Sequence, residues 1–266
     1  TVLRNGSFVG QGRIAETTPR EVTGLMVGAT ISERGAWEPR ETGEVVLSLD
    51  HYSGPGFDGV SLEVRRGQVI GLTGLMGCGS TELMQCLFGI THATGGTAEV
   101  LGKRLHGGSI HEAMKAGVAM LPSDRKENSV VPDMSLLENM YLSEHVLSAR
   151  SFAISKSKEQ ERFDHYKKLL SIKANSSADS VLSLSGGNQQ KVFMARWLNT
   201  DAELLLFDNP TQGIDVGAKA EIYHLILELA RGGKTVVINT LEIPELRGGG
   251  GTQRCTARFR NGARGH

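Results

Sequence analysis

Asp208 closes a run of apolar residues, Leu204 to Phe207, and is followed by Asn209 and Pro210. A short continuous apolar run reads as a buried parallel strand, and a carboxylate at its C-terminal tip stands where an open α/β sheet binds ligands. A lone Asp there suits Mg2+ held through water. Upstream, Ser185-Gly186-Gly187-Asn188-Gln189 opens a run of good helix formers, Gln190 to Leu198. A glycine pair lets backbone approach a ligand, and a helix N-terminus offers N–H groups to an anion. A second glycine-rich stretch, Gly74-Leu75-Met76-Gly77-Cys78-Gly79-Ser80-Thr81, lies between an apolar strand, Gln68 to Leu72, and a helix-forming segment, Glu82 to Phe88. Strand, glycine-rich turn and helix make a nest of N–H groups for phosphate, and Thr81 falls where a hydroxyl reaches Mg2+.

Each piece taken singly is as well explained by an amphipathic helix, a loop and a core strand. Their order, completed by Pro210-Thr211-Gln212-Gly213-Ile214-Asp215, is far more specific. Together they resemble the ABC ATPase family. Leu182 to Lys191 looks like its signature motif, Leu204 to Asp208 its Walker B strand, and Gly213-Ile214-Asp215 its D-loop. The forms GGNQQK and GIDVGAK are similar to the carbohydrate-importer branch, of ribose, galactose and xylose type. The resemblance runs from about residue 44 to 246. It implies an α/β P-loop NTPase of the ABC type: a mostly parallel core sheet, an antiparallel β edge and a helical subdomain.

The resemblance assigns roles residue by residue. Gly74, Gly77, Gly79, Ser80 and Thr81 form the nucleotide-binding loop, with Thr81 and Asp208 as the Mg2+ residues. The family stacks an aromatic on adenine, and Tyr52 is the candidate, with Phe57 second. ABC ATPases pair head to tail, so Ser185, Gly186, Gly187 and Gln189 would clamp an ATP held by another half, with Asp215 in the D-loop. Four positions depart from the pattern. Ser80 stands where the phosphate-binding Lys belongs, which removes a charged hydrogen bond of about 1.5–3 kcal/mol. Ser123 replaces a Gln. Asn209 replaces the general base Glu, typically worth roughly 10²–10⁴-fold. Leu241 replaces the switch His.

The chain has 266 residues, with 39% apolar content and 29 basic residues against 29 acidic ones. Mean hydropathy is −0.18. A neutral balance gives no basic field for nucleic acid. No apolar run approaches the ~20 residues of a membrane helix, so work at a membrane requires a partner. Cys78, Cys86 and Cys255 lack metal-ligand spacing, which fits a reducing cytoplasm, and no signal peptide is visible.

Near both ends the sequence reads Arg-Asn-Gly, Arg4 to Gly6 and Arg260 to Gly262, as in a hairpin turn. We read residues 1–43 as the tail of a preceding ATPase half plus a linker, Gly28 to Gly43, and 44–266 as a nucleotide-binding domain. Thr17 to Val22 reads as a capped helix start. Glu44 to Leu49 and Val60 to Val64 read as strands, with a turn-rich loop, Asp50 to Phe57, between them. Ser135 and Glu138 have capping-box spacing, and residues from about 125 to 185 read as the helical subdomain. After Arg247 the match decays, and 247–266 is an atypical tail.

The expected function is the degenerate half of a bacterial sugar-importer ATPase. It would supply the signature to a composite ATP site and couple closure to transport. Its expected ligands are ATP and Mg2+. Its expected partners are another ABC half (the first half of the same chain or a second copy), transmembrane permease subunits and, indirectly, a periplasmic sugar-binding protein. The expected place is the cytoplasmic face of the membrane. The alternatives are a half that still hydrolyses ATP itself and a non-transport ABC protein.

Overall fold

The computed structural model describes residues 1–4, 7–13, 16–18, 21–22, 24–25, 43–75, 77–124, 129–148 and 155–240. Leu241, the tail 247–266 and most of the expected linker lie outside these residues. The strands are β1 Val2–Arg4, β2 Ser7–Gly10, β3 Val45–Gly54, β4 Phe57–Arg65, β5 Val69–Leu72, β6 Gly95–Val100, β7 Lys103–Leu105, β8 Val118–Leu121, β9 Leu204–Asp208 and β10 Thr235–Asn239. The helices are α1 Ser80–Leu87, α2 Ile110–Lys115, α3 Leu136–Leu147, α4 Lys156–Leu169, α5 Gly186–Leu198 and α6 Val216–Arg231.

A parallel four-stranded sheet, β5-β10-β9-β8, forms the centre. Every residue of β8, β9 and β10 is buried. That is why these strands are continuous apolar runs rather than alternating ones: both faces are covered. An antiparallel four-stranded sheet, β4-β3-β6-β7, lies beside it. Its strand β4 alternates between buried and exposed positions, as one solvated face requires. The expected architecture is therefore present. One apolar cluster joins the antiparallel sheet to α1, and a second joins the parallel sheet to α3, α4, α5 and α6.

Two local expectations meet different outcomes. The antiparallel β1–β2 pair, with Arg4 opposite Ser7, fits the expected hairpin, its turn residues Asn5 and Gly6 lying outside the described set. The loop expected from Asp50 to Phe57 is instead mostly strand, and only Pro55 and Gly56 turn. A bulge between Leu49 and Tyr52 absorbs the irregularity, with Asp50 and His51 both exposed and His51 at φ 46°.

The capping box of α3 forms as its spacing predicts: Ser135 accepts from the Glu138 N–H, and Glu138 accepts from Ser135. Thr18 and Glu21 make the same reciprocal pair, which fits the capped helix start. Two buried cations then tie α5 to its neighbours. Arg196 donates through Nε to the Asn139 carbonyl at 2.6 Å and through Nη2 to Asn139 Oδ1 at 2.9 Å. Burial lowers its pKa to about 10. Lys191 reaches Glu221 on α6 at 2.7 Å.

Where β4, β9 and β10 meet, Glu203 is the acceptor of a small clasp. Lys234 Nζ donates to it at 2.8 Å, Arg66 also donates to it, and Arg66 holds Glu44 at 2.7 Å. Burial pushes the Glu203 carboxyl up, but the hydrogen bonds from Lys234 and Arg66 outweigh this and hold it below the usual carboxylate range. A depressed folded-state pKa contributes stability that is present above the unfolded value and lost as pH falls through the folded one. Glu203→Gln is expected to cost about 1 kcal/mol at neutral pH. Urea melts should show that difference shrinking as pH drops below about 4.3, the unperturbed Glu value.

Candidate functional site

The loop from Gly74 to Gly79 leaves the C-terminal end of β5 and enters α1, so it lies at the ligand end of the parallel sheet. Gly79 is the N-cap of α1 at φ 100°, and a Cβ there would stand 2.3 Å from the Gly56 carbonyl oxygen. Only glycine lets this loop pass beneath the β3–β4 turn. Leu75, at the crest of the loop, is exposed.

The tips of β9 and β10 meet the first turn of α1 in a buried polar cluster. Asp208 is 1% exposed, Asn239 3% and Ser80 6%. Asp208 Oδ1 accepts from Asn239 Nδ2 at 2.6 Å, from Asn209 Nδ2 at 3.1 Å and from Thr81 Oγ1 at 3.2 Å. Asn239 Nδ2 also donates to Thr81 Oγ1 at 3.1 Å, and Asn239 Oδ1 accepts from Ser80 Oγ at 2.8 Å. Ser123 is a further hydrogen-bond partner of Asp208. Burial pushes the Asp208 carboxyl up, above its ordinary value, against the hydrogen bonds of Asn239, Thr81 and Ser123. Asn209 adopts φ 44°, a left-handed conformation that Asn tolerates, and its amide folds back onto the carboxylate. The residue at the expected general-base position therefore acts as a donor to Asp208.

The structure brings Ser80, Thr81, Ser123, Asp208 and Asn209 together. It adds Asn239, at the tip of β10, to which the sequence reading assigns no role. The available signal was an amide closing the apolar run Thr235 to Ile238, one strand over from Asp208.

The cluster also tests the expected Mg2+ pair. Two neighbouring ligands of an octahedral Mg2+ stand about 2.9 Å apart, given metal–oxygen distances near 2.0–2.1 Å, and the 3.2 Å between Thr81 Oγ1 and Asp208 Oδ1 is close to that. The electron pairs are the obstacle. Asp208 Oδ1 already accepts three donors, and the Asn239 NH2 faces both oxygens. As arranged, these residues do not fit a bound cation.

Tyr52 corrects an expectation. Its ring is 1% exposed, its hydroxyl lies 3.2 Å from Cys86 Sγ, and Phe57 packs against it at 5.7 Å. The bulge in β3 turns Tyr52 into the core, and Phe57 is buried as well. Neither ring has a face free to stack on a base.

The signature segment forms the start of α5. Ser185 is its N-cap, exposed and in extended conformation, and its hydroxyl takes a hydrogen bond from Asn188 Nδ2 at 2.9 Å rather than capping the backbone. Asn188 Oδ1 in turn accepts from the Lys173 N–H, and Gln189 Nε2 donates to the Leu184 carbonyl. Gly187 is buried, and a Cβ there would meet the Ala218 methyl at 2.6 Å, so this glycine is needed for packing α5 on α6. Asp215 is the N-cap of α6 and accepts from the Ala218 N–H at 2.9 Å.

Two helices that open on glycine-rich segments, α1 and α5, touch near their C-terminal ends, where Phe88 and Trp197 meet edge to face at 5.3 Å. Elsewhere α1 rests on β3, β4 and β9, while α5 rests on α3, α4, α6 and β8. The start of α5 lies about 17 Å along its axis from Trp197, at 1.5 Å per residue.

Among the described residues no helix is long and apolar enough to cross a membrane. A family model described as ABC transporter matches residues 57–212. The ribose import ATP-binding protein RbsA of Bacillus cereus is 37% identical over 249 residues, 93% of this chain and 50% of that protein. A putative ribose/galactose/methyl galactoside import ATP-binding protein of Rhizobium etli is 40% identical over 249 residues, 93% of this chain and 48% of its own length. The chain spans about half the length of the curated relatives it matches. Among solved structures, the dimeric bacterial ABC transporter cassette MJ0796 superposes with a TM-score of 0.64 at 22% identity, covering 76% of this chain and 91% of that one. That likeness bears on the fold, and the match to the family model, over more than half of the residues, decides the membership: the chain belongs to the ABC transporter family.

Proposed function

We propose that this chain is one ATPase half of a carbohydrate importer, and that it acts chiefly through its signature segment. The observation that carries this reading is the start of α5, where Ser185 is exposed, extended and does not spend its hydroxyl on a backbone N–H of its own helix. The start of this helix is thus open to a ligand from outside the chain. An anion held by a second half would meet Ser185, Gly186 and Gln189 there. A helix N-terminus and a hydroxyl are suited to an ATP phosphate chain. The relatives' names supply ATP as the nucleotide and a sugar as cargo.

The chain's own phosphate loop contributes little chemistry in this reading. Phosphoryl transfer depends on positioning and charge neutralisation. Ser80 brings no positive charge, and Asn209 cannot take a proton, its amide nitrogen being held by Asp208. Gly74, Gly77 and Gly79 still offer backbone to a phosphate, so weak nucleotide binding without turnover is the consistent outcome.

The partner half is the first half of a longer chain or a second copy. The exposed Leu3 and Phe8 on the β1–β2 hairpin support residues 1–43 belonging to such a neighbouring half. The helical segment α3–α4 is the proposed contact with the permease, which places the chain on the cytoplasmic face of the membrane. A periplasmic sugar-binding protein would act through that permease.

The test compares ATP turnover by the chain alone, by a hydrolysis-competent importer half alone, and by the two together. Background turnover for this chain, with the mixture exceeding the competent half, is the expected result. Turnover by this chain alone that disappears in Asp208→Ala would instead make it a self-sufficient ATPase.

A further inference from the structure

We propose that Asn239 closes the metal position of this chain's phosphate loop, so that the loop takes a nucleotide without a divalent cation. The inference rests on the reading of Gly74–Thr81 as a nucleotide loop, and it names how that site is set. The Asn239 side chain is 3% exposed and uses both ends of its amide. Its Nδ2 donates to Asp208 Oδ1 at 2.6 Å and to Thr81 Oγ1 at 3.1 Å. Its Oδ1 accepts from Ser80 at 2.8 Å. The two oxygens expected to hold Mg2+ are thus bridged by an NH2 group, which a cation would have to displace. A cation cannot share that position, because the amide presents hydrogens to it.

Ser80 and Asn239 make a matched pair. A Lys at position 80 would carry a donor charge beyond the reach of a Ser hydroxyl, whereas Ser80 turns to Asn239 and completes the knot. Asn209 adds a further amide donor to the same carboxylate oxygen. Asp208 is therefore neutralised by dipoles in place of a metal ion. The cost to ligand binding follows from charge. A carboxylate screened by amides repels a phosphate chain more than one bearing Mg2+ does, so nucleotide affinity is weak and a divalent cation does not raise it.

Removing the amide changes the site in a definite direction. In Asn239→Val, a β-branched residue that suits the strand, Thr81 and Asp208 keep a spacing close to that of adjacent Mg2+ ligands and lose the donor between them. Mn2+ serves as the probe, read by its electron paramagnetic resonance signal on the full chain in the presence of ATP. The wild-type chain is expected to leave the Mn2+ signal as ATP alone gives it, and Asn239→Val to bind Mn2+ at least tenfold more tightly than the wild type. Asn239→Asp, of the same shape but with an acceptor in place of the donor, gives the same direction if the Val variant does not fold, as judged by its thermal melt. Wild-type Mn2+ binding as tight as that of the folded variant would overturn the proposal. So would absence of Mn2+ binding in both, since Asn239 would then not be what closes the site. The readout uses this chain alone and is independent of whether a second half gains turnover from it.

Discussion

Asn139→Ala is expected to destabilise the chain by about 3 kcal/mol or more, because it removes a hydrogen bond to a charged group (about 1.5–3 kcal/mol) and leaves further buried backbone groups unpaired (about 1–3 kcal/mol each). In a domain of this size that lowers the melting temperature by on the order of 10 °C. Asn139 is fully buried and serves five groups. Its Oδ1 accepts from the Val131 N–H at 3.2 Å and from Arg196 at 2.9 Å, and its Nδ2 donates to the carbonyls of Val131, Met134 and Ser135 at 3.0–3.1 Å. Arg196 is 5% exposed and pairs with no carboxylate among the described residues. Its charge is held by Asn139 and by the face of Phe193 at 5.0 Å. Deleting the Asn139 side chain strips the guanidinium of one acceptor and leaves the turn before α3 without its anchor. Differential scanning calorimetry of Asn139→Ala beside Asn139→Leu/Arg196→Met separates the causes. Removing the charge together with its partner should recover part of the loss, because apolar replacement of both members of a buried polar pair is far cheaper than orphaning one. A melting point for Asn139→Ala within about 2 °C of wild type, where 1 kcal/mol corresponds to about 2–4 °C, would mean that water replaces the amide and that the hub is not structural.

The parts of this chain that were legible in the sequence are those in which neighbouring residues carry the signal. The glycine spacing from Gly74 to Thr81, the apolar run ending at Asp208, and the Ser135–Glu138 capping box each act within a few residues of one another, and each is present. Tyr52 was misread because a single bulge in β3 decides which side it faces, and a bulge has no clear mark in an alternating sequence. Asn239 was passed over because its partners, Ser80 and Thr81, lie more than 150 residues away, and only the parallel register of β5, β10 and β9 brings them together. The Arg196–Asn139 hub hides for the same reason. Gly187 shows the opposite difficulty. Its place in a signature suggests a ligand, yet its packing against Ala218 is sufficient to require glycine.

That distinction selects the substitution that best probes the signature. Ser185→Arg is expected to lower the turnover that this chain lends to a competent half by roughly 10²–10³-fold, the scale for losing one preorganised donor at a developing charge. The melting temperature should stay unchanged within about 2 °C, as for most exposed substitutions. Ser185 is exposed, precedes the helix in an extended conformation, and among the described residues its hydroxyl engages Asn188, whose own oxygen remains tied to the Lys173 N–H. A long side chain at this point has solvent to occupy and disturbs no core contact, but it fills the space in front of the helix start, where a phosphate chain would lie. Gly187→Ala is the contrasting variant. Its added Cβ would force α5 from α6 at a 2.6 Å contact, so it should lose stability and turnover together, by about 1–3 kcal/mol for the overpacking. Steady-state turnover and thermal melts on the two variants therefore separate contact with a partner's nucleotide from packing within the chain. If Ser185→Arg supports the competent half as well as the wild-type chain does, the start of α5 does not meet that nucleotide, and the proposed action in trans fails at its central residue.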